Sequence, residues 1–261
     1  MTDLARTAKK VNGHNSLVPP AGLRHCTTVR TGLHARVLDT LGLAICAGDI
    51  ETGSVARIEQ LQERYGVSRS VIREVIQVLA AMGLVASQRR VGVKVLPATT
   101  WNLYAPEVIA WRLASPGWVA QLRSLTELRT AIEPEAARLA ALRGTPADAS
   151  ELMGLAGNLW AARHTDDIEA FLILDIQFHD LVLSSSGNDM FAKLSTLLQA
   201  VLTGRTQSGL TPLSPHNEAL QLHVDVASAI QRGHGDDAKA SMVGIMERNF
   251  IEMSSTWDKP Q

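Results

Sequence analysis

Residues 65–85, YGVSRSVIREVIQVLAAMGLV, constrain the fold more than any other part of the chain. Val71, Val75, Val78, Leu79 and Met82 recur at helical spacing and define an apolar face, and Gly83 closes the run. Ser68 stands just before it as a candidate N-cap. Upstream, Ile58, Leu61 and Tyr65 outline a short helix stopped at Gly66, where glycine permits a tight turn. Leu33, Val37, Leu41 and Ile45 outline an earlier helix ended by Gly48. Downstream, residues 84–86 and 93–95 read as two short strands around Gln88-Arg89-Arg90-Val91-Gly92, a hairpin. Three helices followed by a hairpin is the order of a winged helix-turn-helix, expected here over residues 31–97.

The polar residues of that segment fall where a nucleic-acid reader needs them. Ser68, Arg69 and Ser70 crowd the N-terminal end of the third helix, the end that enters the major groove in such folds. A capped helix N-terminus also offers backbone amides to a phosphate. Arg69 and Arg73 are four apart and project from one face, where a guanidinium can fork onto guanine or clamp a phosphate. Arg89 and Arg90 sit at the hairpin tip beside Gly92, suited to the DNA backbone or the minor groove. Charge agrees: residues 1–98 hold 13 Lys and Arg against 7 acids, and residues 99–261 hold 12 against 19. A basic front suggests a polyanionic partner there and not at the back. The bland alternative is a helix-turn-helix used for protein contacts, with Arg69 and Arg73 merely solvated.

The 261 residues are enough for two domains. Residues 1–30 lack periodicity and read as a tail; residues 98–115 read as a linker helix. Helical spacing recurs at about 102–113, 117–143, 147–163, 166–185, 189–208, 214–232 and 235–256, with breaks at Gly, Pro and Asn clusters between them. Asp148 and Asp166 sit near helix starts. Strand signals are absent after Trp101, so residues 116–257 are expected to form an all-helical bundle and the whole chain to be mainly α. No apolar stretch reaches the ~20 residues of a membrane span, and no apolar run follows the basic N-terminal residues, so neither a membrane partner nor secretion is expected. Cys26 and Cys46 form no CxxC pair, which argues against a cysteine zinc site or a disulfide framework and fits a reducing cytoplasm.

Three helical stripes of the second domain carry polar residues at apolar positions. Arg129 interrupts Leu122, Leu125, Ile132, Ala136 and Leu139; Asp175 and His179 interrupt Ile168, Leu172 and Val182; His223 interrupts Ala219, Val226 and Ile230. Asp175 and His179 are four apart, so carboxylate and imidazole can share one metal. A histidine from a neighbouring helix completes three ligands with open positions, a donor set for Zn²⁺, Ni²⁺ or Mn²⁺. Taken singly, each has a simpler reading: His223 as a satisfied core histidine, Arg129 paired to Glu133 at i+4, Asp175 paired locally.

The residues from Gly66 to Val85, with the wing that follows, resemble the GntR family of bacterial regulators. The resemblance covers about residues 33–96 and implies DNA contacts at Ser68, Arg69, Ser70, Arg73 and Gly92. Two positions depart from it. An Arg frequent on the family's second helix is replaced by Glu59, with Arg57 nearby, and the first wing glycine is replaced by Arg90. The second domain is similar to the FadR-type, or FCD, domain of the same family over about residues 118–250. It carries Arg129-Thr-Ala-Ile-Glu133, Asp175-Ile-Gln-Phe-His179, Ser186-Gly187-Asn188, and His223 ahead of Ala229-Ile230. That resemblance implies a divalent metal held by Asp175, His179 and His223, gripping a carboxylate effector. The usual fourth histidine falls on Ile245, which lowers the expected affinity, with Asn249 one turn further as a weak substitute or effector contact. Trp101-Asn102, Val108 and Trp111 resemble the start of the sensing domain in the family's galactonate-operon repressors, although both tryptophans also suit linker packing.

The expectation is a non-enzymatic, cytoplasmic, homodimeric regulator of double-stranded DNA, released from its operator by a small carboxylate such as an aldonate. Two other classes compete. The bundle could be a metal-dependent enzyme fused to a DNA-binding module, or the chain could be an architectural DNA-binding protein without an effector. No nucleophile motif such as GxSxG supports the enzyme.

Overall fold

The computed structural model describes residues 32–163, 167–207 and 217–257. The tail 1–30, with Cys26 in it, and Asp166 lie outside the described residues. The chain divides into two compact units, residues 1–111 and 112–261.

The first unit opens with α1 (Leu33–Cys46), β1 (Val55–Ala56), α2 (Ile58–Tyr65) and α3 (Arg69–Ala81). Gly66 stands between α2 and α3 in the left-handed region at φ 64°, the conformation that glycine adopts at least cost. On α3 the fully buried face is Ile72, Val75, Ile76 and Leu79. Val71 and Val78, expected inside, are only half-buried, because the helix turns its isoleucines furthest into the core. The wing follows as β2 (Val85–Gln88) and β3 (Gly92–Val95), paired antiparallel with Gln88 opposite Gly92. The strand β1 was not legible in the sequence: two residues long, it lies along the far edge of β3, giving the order β1-β3-β2.

The expected linker segment does not stand apart from this unit. Asn102 donates its backbone N–H to Met82 O at 2.8 Å, and Thr100 Oγ1 donates to Gly83 O at 2.8 Å. Helix α4 (Pro106–Leu113) begins four residues later than the spacing predicts, because proline suits the first helical turn and not the interior. Trp111 at its end is 1% exposed and joins the core of the first unit with Val108 and Ala105. Its indole Nε1–H donates to Asp39 at 3.2 Å. A Cβ on Gly42 of α1 would lie 2.5 Å from the Trp111 ring, so only glycine lets the indole in.

The elements of the second unit are all helices among its described residues: α5 (Trp118–Arg143), α6 (Pro146–Ala162), α7 (Ile168–Ser185), α8 (Asp189–Ala192), α9 (Ser195–Gln207), α10 (Asn217–Gln231) and α11 (Gly235–Trp257). Thr145 caps α6 in a reciprocal box with Asp148, and Asp167 caps α7 by accepting from Ala170 N–H at 2.9 Å. The single helix expected over 189–208 is two. Leu194 N–H bonds back to Phe191 O at 2.9 Å, an i to i+3 link that turns the chain between α8 and α9. Phe191 and Leu194 both pack on the core, so the apolar spacing runs unbroken through the bend. The core of this unit holds Phe178, Leu152, Leu159, Val182, Val226 and Met242.

Candidate functional site

The first candidate surface is the exposed N-terminal end of α3. Ser68 Oγ accepts from Val71 N–H at 3.4 Å and meets Ser70 Oγ at 2.8 Å. Arg69, Ser70 and Arg73 are all exposed. Arg69 Nη1 lies 3.3 Å from Glu59 Oε1 on α2, with both side chains about three-fifths open to solvent (60% and 62%). Glu59 is the residue that departs from the family pattern. Arg57 takes a different place: it precedes α2, and its backbone N–H donates to Gln60 Oε1 at 2.8 Å.

The wing tip explains its own departure. Val91 N–H bonds Gln88 O at 3.2 Å, closing a turn in which Arg90 is the third residue, with φ 65°. That turn position calls for glycine, since a left-handed backbone crowds any Cβ. Arg90 is the only positive-φ residue other than glycine among the described residues. Gly92, at φ 126°, has no such latitude: a Cβ there would lie 2.5 Å from Ala56 O across the β1–β3 pair. Arg89 and Arg90 are exposed at the tip.

The second candidate site lies in the bundle. Asp175 and His179 on α7 and His223 on α10 each offer an atom within 4.8 Å of the others. Asp175 Oδ1 stands 3.5 Å from His179 Nε2 and 3.3 Å from His223 Nε2. The imidazoles are buried, and neither Nε2 has a hydrogen-bond partner among the described residues. The other nitrogens both face an oxygen, that of His223 in a hydrogen bond and that of His179 in close approach only. His223 Nδ1 meets Ala219 O at 2.8 Å, and His179 Nδ1 lies 2.6 Å from Glu133 Oε2. An Nδ1 committed to an oxygen leaves the Nε2 lone pair for a cation, the arrangement typical of metal-binding histidines. Orphaned buried nitrogens converging on a carboxylate therefore fit a divalent ion. Phe178, fully buried, sets its ring edgewise against both imidazoles, with centroids 5.6 and 5.0 Å away.

Glu133 is the residue that sequence reasoning undervalued. It is 2% exposed, deeper than its stripe neighbour Ile132, and bridges two sites. Both of its oxygens accept from the Arg129 guanidinium, Oε1 from Nε and Oε2 from Nη2, and Oε2 also faces His179. Burial alone would raise its carboxyl, but Arg129 and His179 more than offset that and hold it at about 2. Asp175 follows the same logic: burial pushes it up, the two imidazoles pull it well below the usual carboxylate range. Burial lowers His179, yet Glu133 and Asp175 together raise it. Arg129 and Glu133 also line a small, half-open apolar recess with Leu125, Ile132, Leu183, Leu198 and Val201. Ile245 is 4% exposed in the core and brings no ligand atom; Asn249 is half-buried one turn further along α11.

A three-helix unit with an arginine-bearing recognition end and a two-stranded wing, followed by an all-helical unit with a buried ionisable cluster, defines a winged-helix DNA-binding protein with a second, helical domain. The gntR family of bacterial regulatory proteins matches residues 33–95, and the FCD domain matches residues 124–248. The chain belongs to the GntR family, with an FCD domain, and is a DNA-binding transcriptional regulator. It is 33% identical over 226 residues to the galactonate operon transcriptional repressor of Escherichia coli, covering 84% of this chain and 97% of that one. It is 27% identical over 202 residues to the uncharacterized regulator YieP of the same organism, covering 77% and 86%. Among solved structures, Lar of Listeria monocytogenes superposes with TM-score 0.51 at 16% identity, covering 87% of this chain and 98% of that one. McbR/YncC of E. coli gives 0.50 at 16%, covering 88% and 100%. These two likenesses speak for the fold alone. No helix among the described residues is long and apolar enough to cross a membrane.

Proposed function

We propose that the chain is a cytoplasmic repressor that grips a short palindromic operator as a homodimer and releases it when a small carboxylate, a sugar acid of the aldonate class, enters the bundle. The observation that carries this reading is the pair of buried, unpartnered imidazole nitrogens beside Asp175. Asp175, His179 and His223 would hold a divalent ion such as Zn²⁺, Ni²⁺ or Mn²⁺, which supplies a Lewis-acidic face for a carboxylate. Arg129, anchored through Glu133, supplies the second positive contact, and Asn249 is a polar group for the hydroxylated chain. The name of the E. coli relative, galactonate operon transcriptional repressor, supports both the effector class and the sign of regulation. On the DNA side, Ser68, Arg69, Ser70 and Arg73 read the major groove, while Arg89, Arg90 and Gly92 follow the backbone or the minor groove. Two half-sites a helical turn apart call for two copies of the winged unit. Effector binding acts by differential affinity for two dimer states, with a reach of about 1–3 kcal/mol.

The apolar lining beside Arg129 favours a second reading, a carboxylate with a short apolar body instead of a polyol. One experiment separates the two. Thermal shifts are recorded with aldonates, uronates, hydroxy acids, dicarboxylates and short aliphatic acids, for wild type, His179→Ala and Arg129→Ala, beside metal analysis of untagged protein. The aldonate reading expects bound metal in wild type and Arg129→Ala but not in His179→Ala, and stabilisation by an aldonate that both substitutions abolish. An aldonate response indifferent to both substitutions, or a response to aliphatic acids alone, defeats it.

A further inference from the structure

The Glu59–Arg69 pair has no evident use in holding the fold. Both side chains are about three-fifths exposed, and ion pairs this open contribute little to stability. The pair instead sits at the functional end of the winged unit, beside the cap formed by Ser68 and Ser70. A carboxylate there is repelled by every phosphate it approaches, so it opposes indiscriminate binding. Its presence needs a compensating role on DNA.

We infer that Glu59 is a specificity-determining residue of the DNA-binding surface, one that orients the Arg69 guanidinium toward a base edge and away from the phosphates. This rests on the reading of Arg69 as a DNA contact. Arginine carries five N–H donors in a planar fork. With Nη1 turned to Glu59 Oε1 at 3.3 Å, the guanidinium is biased toward one orientation, in which its remaining donors can meet a guanine O6 and N7 together. Pairing to Glu59 also neutralises Arg69 toward the backbone, which weakens the sequence-independent part of its binding and leaves the base-specific part. The other Glu59 oxygen remains an acceptor suited to the N4 amine of a neighbouring cytosine. Residue 59 lies on the helix before the recognition helix, so it influences the base that Arg69 reads without itself belonging to the recognition helix.

The test is selection of binding sites from a random duplex DNA library by the full chain, at one fixed salt concentration. Wild type is run beside Glu59→Gln, Glu59→Ala and Arg69→Ala. Thermal melting of each variant should match wild type, since both residues are exposed. Arg69→Ala is expected to erase preference for guanine at one position of each half-site. Glu59→Ala should blunt preference at the same position by about tenfold to a hundredfold, while binding random-sequence DNA more tightly. Glu59→Gln, which keeps an acceptor, should fall between. Uniformly tighter binding by Glu59→Ala with every base preference intact would show a merely repulsive charge and overturn the proposal. If Arg69→Ala leaves the selected sequence unchanged, the reading of Arg69 itself fails, a different outcome that the same experiment distinguishes.

Discussion

Among single residues, Tyr65 at the end of α2 carries a hydroxyl that is buried with no hydrogen-bond partner among the described residues. Burial, only partly countered by Arg64, lifts its phenol to about 12. An unsatisfied buried polar group costs about 1–3 kcal/mol, so Tyr65→Phe should leave stability unchanged or raise it by about 1 kcal/mol. The pH dependence has a definite sign. The folded value exceeds the unfolded one of about 10, so the contribution of the neutral phenol is complete below 10 and fades as pH climbs toward 12. Urea unfolding between about pH 8 and 11 should show wild type losing ground to the Phe variant; parallel curves would refute the assignment. Legibility at this scale followed sequence distance. Asp175 and His179 could be read because they are i,i+4 on one helix. The link from Glu133 on α5 to His179 on α7 could not, since helical spacing predicts a face and not the neighbour across it.

Among elements, the wing shows what happens when one residue is asked for two things. Arg90 occupies a turn position that glycine fills without strain, at a cost of about 1 kcal/mol for its left-handed backbone. A strained non-glycine residue at an exposed tip points to use, here a cation held at the far end of a lever. Arg90→Gly should therefore raise the thermal midpoint by the equivalent of about 1 kcal/mol while weakening operator binding and reducing its salt slope by about 1. A variant both more stable and undiminished on DNA would remove Arg90 from the interface. The elements themselves were mostly readable: α1, α2, α3 and both wing strands follow from spacing, glycine stops and caps. Two were not. A strand as short as β1 has no period to detect, and the bend between α8 and α9 carries no glycine or proline to announce it.

Across the whole molecule, the boundary between the units falls after Trp111 and not after the wing. The hydrogen bonds from Thr100 and Asn102 and the indole seated against Gly42 make residues 98–111 part of the DNA-binding unit. Removing a buried indole costs about 3–5 kcal/mol, so Trp111→Ala should unfold the first unit at markedly lower denaturant. A fragment of residues 32–113 should melt cooperatively, where one of residues 32–97 should melt earlier or not fold; equal melting of the two would contradict the packing described. Gly42→Ala should mimic the loss in part, by about 1–3 kcal/mol, through the clash with the ring. The two tryptophans were visible in the sequence, but not which side they belonged to, because an apolar residue in a connecting segment can serve either neighbour. There is a consequence for how such regulators exchange parts. A gene recombination that joins a foreign sensing bundle at the end of the wing would strip the DNA-binding head of its own core tryptophan. A crossover one residue past the indole hands over a head that is already complete, so viable chimeras, natural or engineered, should carry their junctions there.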